Sequence, residues 1–213
     1  MPKNKLTGYD FKNLYPYKKI LSSSQMLSYE EDPSRFWIEY FLGAKREPSK
    51  PMLTGSIFSE LHNHRDFDFR SALATMGVPA RIGDLFAEVI RAFPVIPSEI
   101  PLKCKYNGWI LRATLDGASG ETIIENKTGQ MEWDQSRTDS SDQITFQSFV
   151  YWKKNKKVPK VIILNWVDTR SKTTKKLQTF KTKRTISQLK EFEKRVDYVL
   201  KNIDAENFTN QLY

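Results

Sequence analysis

The sequence predicts an α/β fold: a mixed central sheet flanked by helices, with a helical N-terminal annex. Three observations predict it. Between residues 99 and 127, apolar and polar residues alternate in three successive runs, as in strands with one buried face. Before and after them, apolar residues recur at the spacing of amphipathic helices. From 158 to 167 (VPKVIILNWV) an almost continuous, β-branched apolar run suits a buried central strand. Helices, a three-strand meander, a helix, two strands and a helix, in that order, make an α/β domain. Residues 1–97 are expected to form an arm and helical segment packed on a core of residues 98–213, together one compact domain.

The chain order supports each element. Residues 1–21 are rich in Tyr and Lys with little period and read as an irregular arm. Ser22-Ser23-Ser24 offers N-cap hydroxyls to a short helix carrying Met26, Leu27 and Tyr29. Asp32-Pro33 breaks it, and Pro33 suits the first turn of a second helix. On that helix Phe36, Trp37, Tyr40 and Phe41 make an aromatic face, which packs in a core more often than it serves as a base-stacking platform. Residues 43–54 read as a loop and 55–75 as one helix, with Ile57, Phe58 and Leu61 on one side. The run 80–93 carries an apolar stripe of Ile82, Leu85, Phe86, Val89, Ile90 and Phe93. Pro94, Pro97 and Pro101 lead into strands at 99–106, 109–116 and 121–127, the first two joined at Asn107-Gly108, a hairpin signal. A polar loop (129–141), a helix (142–152), the buried strand, an exposed strand (173–180) and an amphipathic helix (186–203) complete the chain.

The chain has 213 residues, 39% hydrophobic and 28% charged, which is globular and not disordered. The single cysteine, Cys104, excludes an internal disulfide framework and a four-cysteine zinc or iron–sulfur site within one chain. A reduced, cytoplasmic setting is expected, in a bacterial or phage-infected cell. The N-terminal stretch MPKNKLTGYDFKNLYP has no apolar signal-like region, and no membrane association is expected. Net charge is +9. Residues 153–184 hold twelve Lys and Arg against the single acid Asp168, while the rest holds twenty-two basic and twenty-four acidic residues. Such a band is the electrostatic footprint of a phosphate-backbone partner; the plainer alternative is a solvated lysine-rich surface.

The informative stretch is 109–129 (WILRATLDGASGETIIENKTG). It reads as a two-stranded hairpin turning at Ser119-Gly120, its polar end carrying Asp116, Glu125, Asn126 and Lys127. Alternation puts Glu125 and Lys127 on one face. Asp116, Glu125 and the backbone carbonyl of Asn126 are hard oxygen donors suited to Mg²⁺ or Mn²⁺. Lys127 beside them can orient a nucleophile or stabilise negative charge. The alternative is a surface salt bridge after a common Asp-Gly turn. Against it stands Ile123-Ile124, which runs an apolar strand straight into these charges.

Asp116 followed by Glu125-Asn126-Lys127-Thr128-Gly129 resembles the core of PD-(D/E)XK nucleases, in the form found in RecB-like exonucleases and related CRISPR-associated nucleases. Three further segments are similar in order. Leu21 to Gln25, continuing to Asp32-Pro33-Ser34-Arg35-Phe36, resembles that group's N-terminal helix segment. Gly55-Ser56-Ile57-Phe58 resembles the start of its Gly-x-x-x-His helix. Ser98-Glu99-Ile100-Pro101-Leu102 resembles the strand before the metal-binding hairpin. The resemblance spans about residues 21–170. Asp32 stands where iron–sulfur members carry Cys, so no iron–sulfur cluster is expected, and Ser59 stands at the histidine position. Glu60, His62 or Glu99 can complete the ligand set. The family's Gln-x-x-x-Tyr motif fits Gln147 to Tyr151 literally, or Gln143 to Gln147 by context.

The resemblance implies a restriction-endonuclease-like fold and a DNA nuclease using one or two Mg²⁺ or Mn²⁺ ions. It implies exonuclease-type cleavage in DNA recombination, repair or viral DNA processing. Catalysis would fall to Asp116, Glu125 and Lys127. DNA would be held by Gln143, Gln147 and Tyr151 and by Lys153, Lys154, Lys156 and Lys157. A homo-oligomer is compatible with this reading. The alternatives are a structure-specific endonuclease or junction resolvase on the same fold, or a nucleic-acid-binding protein whose site has decayed.

Overall fold

A computed structural model describes residues 19–41, 43, 48–93, 99–170 and 176–205. Most of the N-terminal arm, Ser98 and the prolines at 94 and 97, and Lys172 and Lys175 of the basic band lie outside the described residues. The end of the arm, Ile20–Leu21, is a short strand, β1. Ser22 then caps α1 (Ser23–Glu31) through a reciprocal pair of bonds with Gln25, which satisfies two donors the helix start would leave open. Asp32 caps α2 (Pro33–Phe36), which runs on as a π-helical turn over Trp37–Phe41. Phe36 and Trp37 are buried, so the aromatic face belongs to the core.

The region read as a loop and one helix differs. Helix α3 (Lys50–Asn63) starts before Gly55, with Pro51 in its first turn, where a missing N–H costs nothing. It ends at His64, whose backbone turns extended, and Asp68 caps a separate helix α4 (Phe69–Thr75). Helix α5 (Ala80–Ala92) follows, and its apolar stripe meets α3 and α4 in a second hydrophobic cluster containing Phe58, Leu61, Leu73, Phe86 and Val167.

The strands are β2 (Ile100–Tyr106), β3 (Trp109–Leu115), β4 (Gly117–Ser119), β5 (Thr122–Gly129), β6 (Val161–Asp168) and β7 (Leu177–Thr182). They form two mixed sheets, ordered β1-β3-β2 and β4-β5-β6-β7. The expected single hairpin is therefore divided. β3 pairs antiparallel with β2 and parallel with β1, and beyond Asp116 the chain changes partner, pairing as β4 with β5. β6 is central, between β5 (parallel) and β7 (antiparallel). Strand β7 starts at Leu177, later than expected, and residues 171–175 lie outside the described set. The polar loop holds one short helix, α6 (Gln135–Asp139), capped by Asp134. Helix α7 (Asp142–Asn155) packs against β2 and β3, and α8 (Ile186–Ala205) packs against α7. The main core of Trp109, Leu111, Ile123, Phe146, Phe149, Ile162 and Leu164 lies among these sheets and helices. No described helix is long and apolar enough to cross a membrane.

Candidate active site

The sheet change at Asp116 builds the site. β4 ends opposite Thr122 to Ile124, so the later part of β5 has no strand on that edge. Asp116 fills the gap: its Oδ2 accepts the Asn126 N–H at 2.7 Å. The N–H and C=O of a strand residue point the same way, so the Asn126 carbonyl also faces the Asp116 side. Glu125 and Lys127 project to the face of the sheet on which the amide ends of Gln143 and Gln147 lie. Asn126 and Thr128 project to the other, where Gly55 of α3 meets Thr128. A cleft of about 520 Å³ opens at this end of β5. Its lining includes Asp116, Glu125, Asn126, Lys127, Gln143 and, from α3, Gly55, Ser59 and His62.

Glu125 is only 2% exposed. Burial of a carboxylate is tolerable when every oxygen is bonded. Its Oε1 accepts from Gln143 Nε2 at 2.6 Å and lies 2.7 Å from Lys127 Nζ; its Oε2 accepts from Gln147 Nε2 at 2.6 Å. Lys127 in turn donates to Gln143 Oε1 at 2.6 Å, closing a three-residue ring. Gln147 also donates to the Thr114 carbonyl at 3.1 Å. Burial first, and the neighbouring Glu125 charge second, push the Asp116 carboxyl up to about 7; the Asn126 N–H and Lys127 pull against them.

The other expected residues separate into groups. His62 is buried in the cleft wall, its ring edge-on to Phe93, and burial holds its imidazole pKa below the usual value. Glu60 points away: its side chain is exposed and faces His64. Glu99 is exposed, with a left-handed backbone (φ 53°), and its charge reaches Asp116. Among the described residues, no three His, Cys, Asp or Glu side chains gather as a metal-ligand group, so any ion here also needs backbone or water oxygens.

Of the polar ridge on α7, Gln143 faces the cleft. Gln147 is buried behind Glu125, which places it out of reach of a DNA strand. Tyr151 packs against the main core. Lys153 is committed elsewhere, 2.5 Å from Glu193 and over the rings of Trp152, Tyr106 and Phe149. Lys154, Lys156 and Lys157 are exposed at the far end of α7. At ~1.5 Å rise per residue they lie about 17–21 Å along the helix direction from Gln143. The basic run therefore stands apart from the cleft. The roles of Thr114 and Ser59 as cleft and anchor residues carry no sequence signal beyond their position beside the motifs.

No protein-family profile and no curated protein sequence matches the chain. Solved structures do. A candidate exonuclease from Eubacterium rectale superposes with a TM-score of 0.62, covering 95% of this chain and 85% of its own at 13% identity. An alkaline exonuclease from Laribacter hongkongensis gives 0.54, covering 89% and 90% at 15% identity. Its complex with dAMP gives 0.53 at 14% identity over the same shares. At these identities the likeness is one of architecture, and the chain has the mixed α/β fold of these exonucleases.

Proposed function

We propose that the chain is a divalent-metal-dependent DNA nuclease, an exonuclease acting in DNA recombination, repair or viral DNA processing. The observation that carries this reading is the Asp116–Glu125 pair on the floor of one cleft with Lys127 against it. Two carboxylates held together with little water raise one another's cost of ionisation, as the elevated Asp116 shows. A cation removes that cost.

The donors present fit Mg²⁺ or Mn²⁺. Asp116, Glu125 and the Asn126 carbonyl are all hard oxygens, and an ion of this kind completes its shell with water. When bound, it would supply charge relief at the attacked phosphate and an activated water. The chain's own residues do the rest. Asp116 is fixed by the Asn126 N–H through Oδ2, leaving Oδ1 for the ion. Gln147 and Gln143 hold Glu125 in one orientation. Lys127, partly exposed, presents its ammonium to the phosphate oxygens, where it favours the more negative transition state. His62 in the cleft wall is a further ligand candidate, favoured over Glu60 by position. The net charge of +9 favours a polyanionic substrate. Exonuclease action and a deoxynucleotide ligand are suggested by the fold neighbours, one of them in complex with dAMP.

Linear duplex and single-stranded DNA labelled at either end test this directly. Stepwise loss of label in Mg²⁺ or Mn²⁺, abolished by EDTA, is the expected result. Cleavage of circular or branched DNA in preference to linear ends would move the reading to an endonuclease. No cleavage of any DNA would overturn it.

A further inference from the structure

Trp133 lies in the loop after β5, and its indole stacks on Trp166 with ring centroids 4.8 Å apart and planes 23° from parallel. The pair is rigidly seated. Trp133 Nε1 donates to Thr138 Oγ1 at 2.9 Å. Trp166 lies so close over Gly129 that a Cβ there would meet its Cη2 at 2.3 Å. Trp166 is also the register partner of Lys127. Paired residues of adjacent strands share a face, with strands ~4.8 Å apart. Trp166 therefore rises from the same face of the sheet as the cleft lysine, its ring leaning along β5 toward Gly129 at the edge of the cleft. Trp166 is buried, but Trp133 is partly exposed, so one indole of the stack reaches solvent.

One exposed guanidinium, Arg137, lies on the same loop. Arg137 donates to the Glu132 carbonyl at 2.7 Å, whereas the Arg170 guanidinium is taken up by the buried Asp168 carboxylate, with bonds of 2.6–3.0 Å. Met131 of this loop is 61% exposed. A fixed, partly exposed indole with the exposed Arg137 on its own loop and Lys127 on the same face of the sheet suits an unpaired nucleotide. The base takes the aromatic surface and the phosphates take the cations.

We infer that Trp133, backed by Trp166, is a stacking platform for an unpaired nucleobase of the strand whose backbone enters the cleft at Lys127. This deepens the nuclease reading and rests on it for the identity of the strand. It also implies that DNA is single-stranded or frayed where it meets the site. Trp133 acts as a positioning residue.

The test is binding of a single-stranded oligodeoxynucleotide carrying 2-aminopurine, in EDTA, to the full chain and its Trp133→Leu and Trp133→Phe variants. The expected result is quenched 2-aminopurine with wild type and Trp133→Phe, and about tenfold weaker, unquenched binding with Trp133→Leu, the loss expected for one base–aromatic contact. In Mg²⁺ or Mn²⁺ the same Leu variant should raise KM for single strands far more than it lowers kcat. Photocrosslinking of a 5-iododeoxyuridine oligonucleotide to the wild-type chain needs no variant to fold, and should mark Trp133. Equal quenching by the Leu variant, or a crosslink elsewhere, overturns the platform. Wild-type DNA binding and a Trp133 crosslink without cleavage would instead overturn the nuclease reading and leave the platform standing.

Discussion

The Asp116 carboxylate accepts the backbone N–H of Asn126 at 2.7 Å, at the point where the chain leaves one sheet for the other. One side chain thus ties the end of β3 to the unpaired edge of β5, and sets Asp116 against Glu125. Asp116→Asn keeps the shape, and its amide oxygen can still accept from the Asn126 N–H. It removes the charge, however. Saturable Mn²⁺ binding, read by calorimetry, should fall by at least tenfold, while the far-UV circular dichroism is unchanged.

The raised Asp116 carboxyl also fixes a sign for pH. Its folded pKa of about 7 lies above the ordinary 3.8 expected of the unfolded chain. The stability this group contributes is therefore fully present below about pH 4 and is lost as pH rises through about 7. Melting temperatures in EDTA, measured from pH 5 to 8, should show a downward component in the wild type that is missing in Asp116→Asn. Mg²⁺ or Mn²⁺ competes with the same proton, so stabilisation by the metal should grow over this range. A metal effect that is flat or falls with pH would contradict the assignment of Asp116 as a ligand.

Gln147 separates two readings of its motif. As a DNA contact, its loss would weaken binding; as the buried partner of Glu125 Oε2, its loss frees the carboxylate. Gln147→Leu should leave the KM for DNA within about twofold and lower kcat. It should also cost roughly 1–3 kcal/mol of stability, the usual penalty for a buried polar group left without its partner. Chemical denaturation together with steady-state kinetics reads both.

Gly129 has no positive φ to explain it, and the close approach of Trp166 does. Gly129→Ala should destabilise the chain by about 1–3 kcal/mol, as overpacking of a tight core does. It should also shift the Trp133–Trp166 stack, visible as a change in near-UV circular dichroism. A neutral Ala would mean that the ring moves aside at little cost.

The gathering of Glu125 and Lys127 at one end of a strand was legible in the sequence because it is local. Period-two alternation alone places Glu125 and Lys127 on one face, and Ser22 and Asp32-Pro33 announce their helices by short-range signals. What was not legible depends on partners distant in sequence. Alternation continues through Asp116, with Leu115 and Gly117 both buried, so the pattern does not reveal that the partner strand changes there. The break at His64 follows a charged turn that suits a helix surface equally well. Gln147 reads as polar, and only the approach of Glu125 from β5 makes it an interior residue. The basic run at 153–157 looked like part of the site because sequence distance from Gln143 is short. A 14-residue helix carries it to the other end. Trp133 was hidden in a loop whose composition is polar.

The central claim is that Lys127 serves chemistry at a phosphate and does not merely pair with Glu125. Lys127→Ala measures it most directly, with DNA binding in EDTA and cleavage in Mg²⁺ or Mn²⁺ read on the same preparation. Binding should stay within a few-fold of wild type, while cleavage should fall by about 10²–10³-fold, the usual loss when one charge-stabilising donor is removed. Full cleavage by Lys127→Ala would contradict the account.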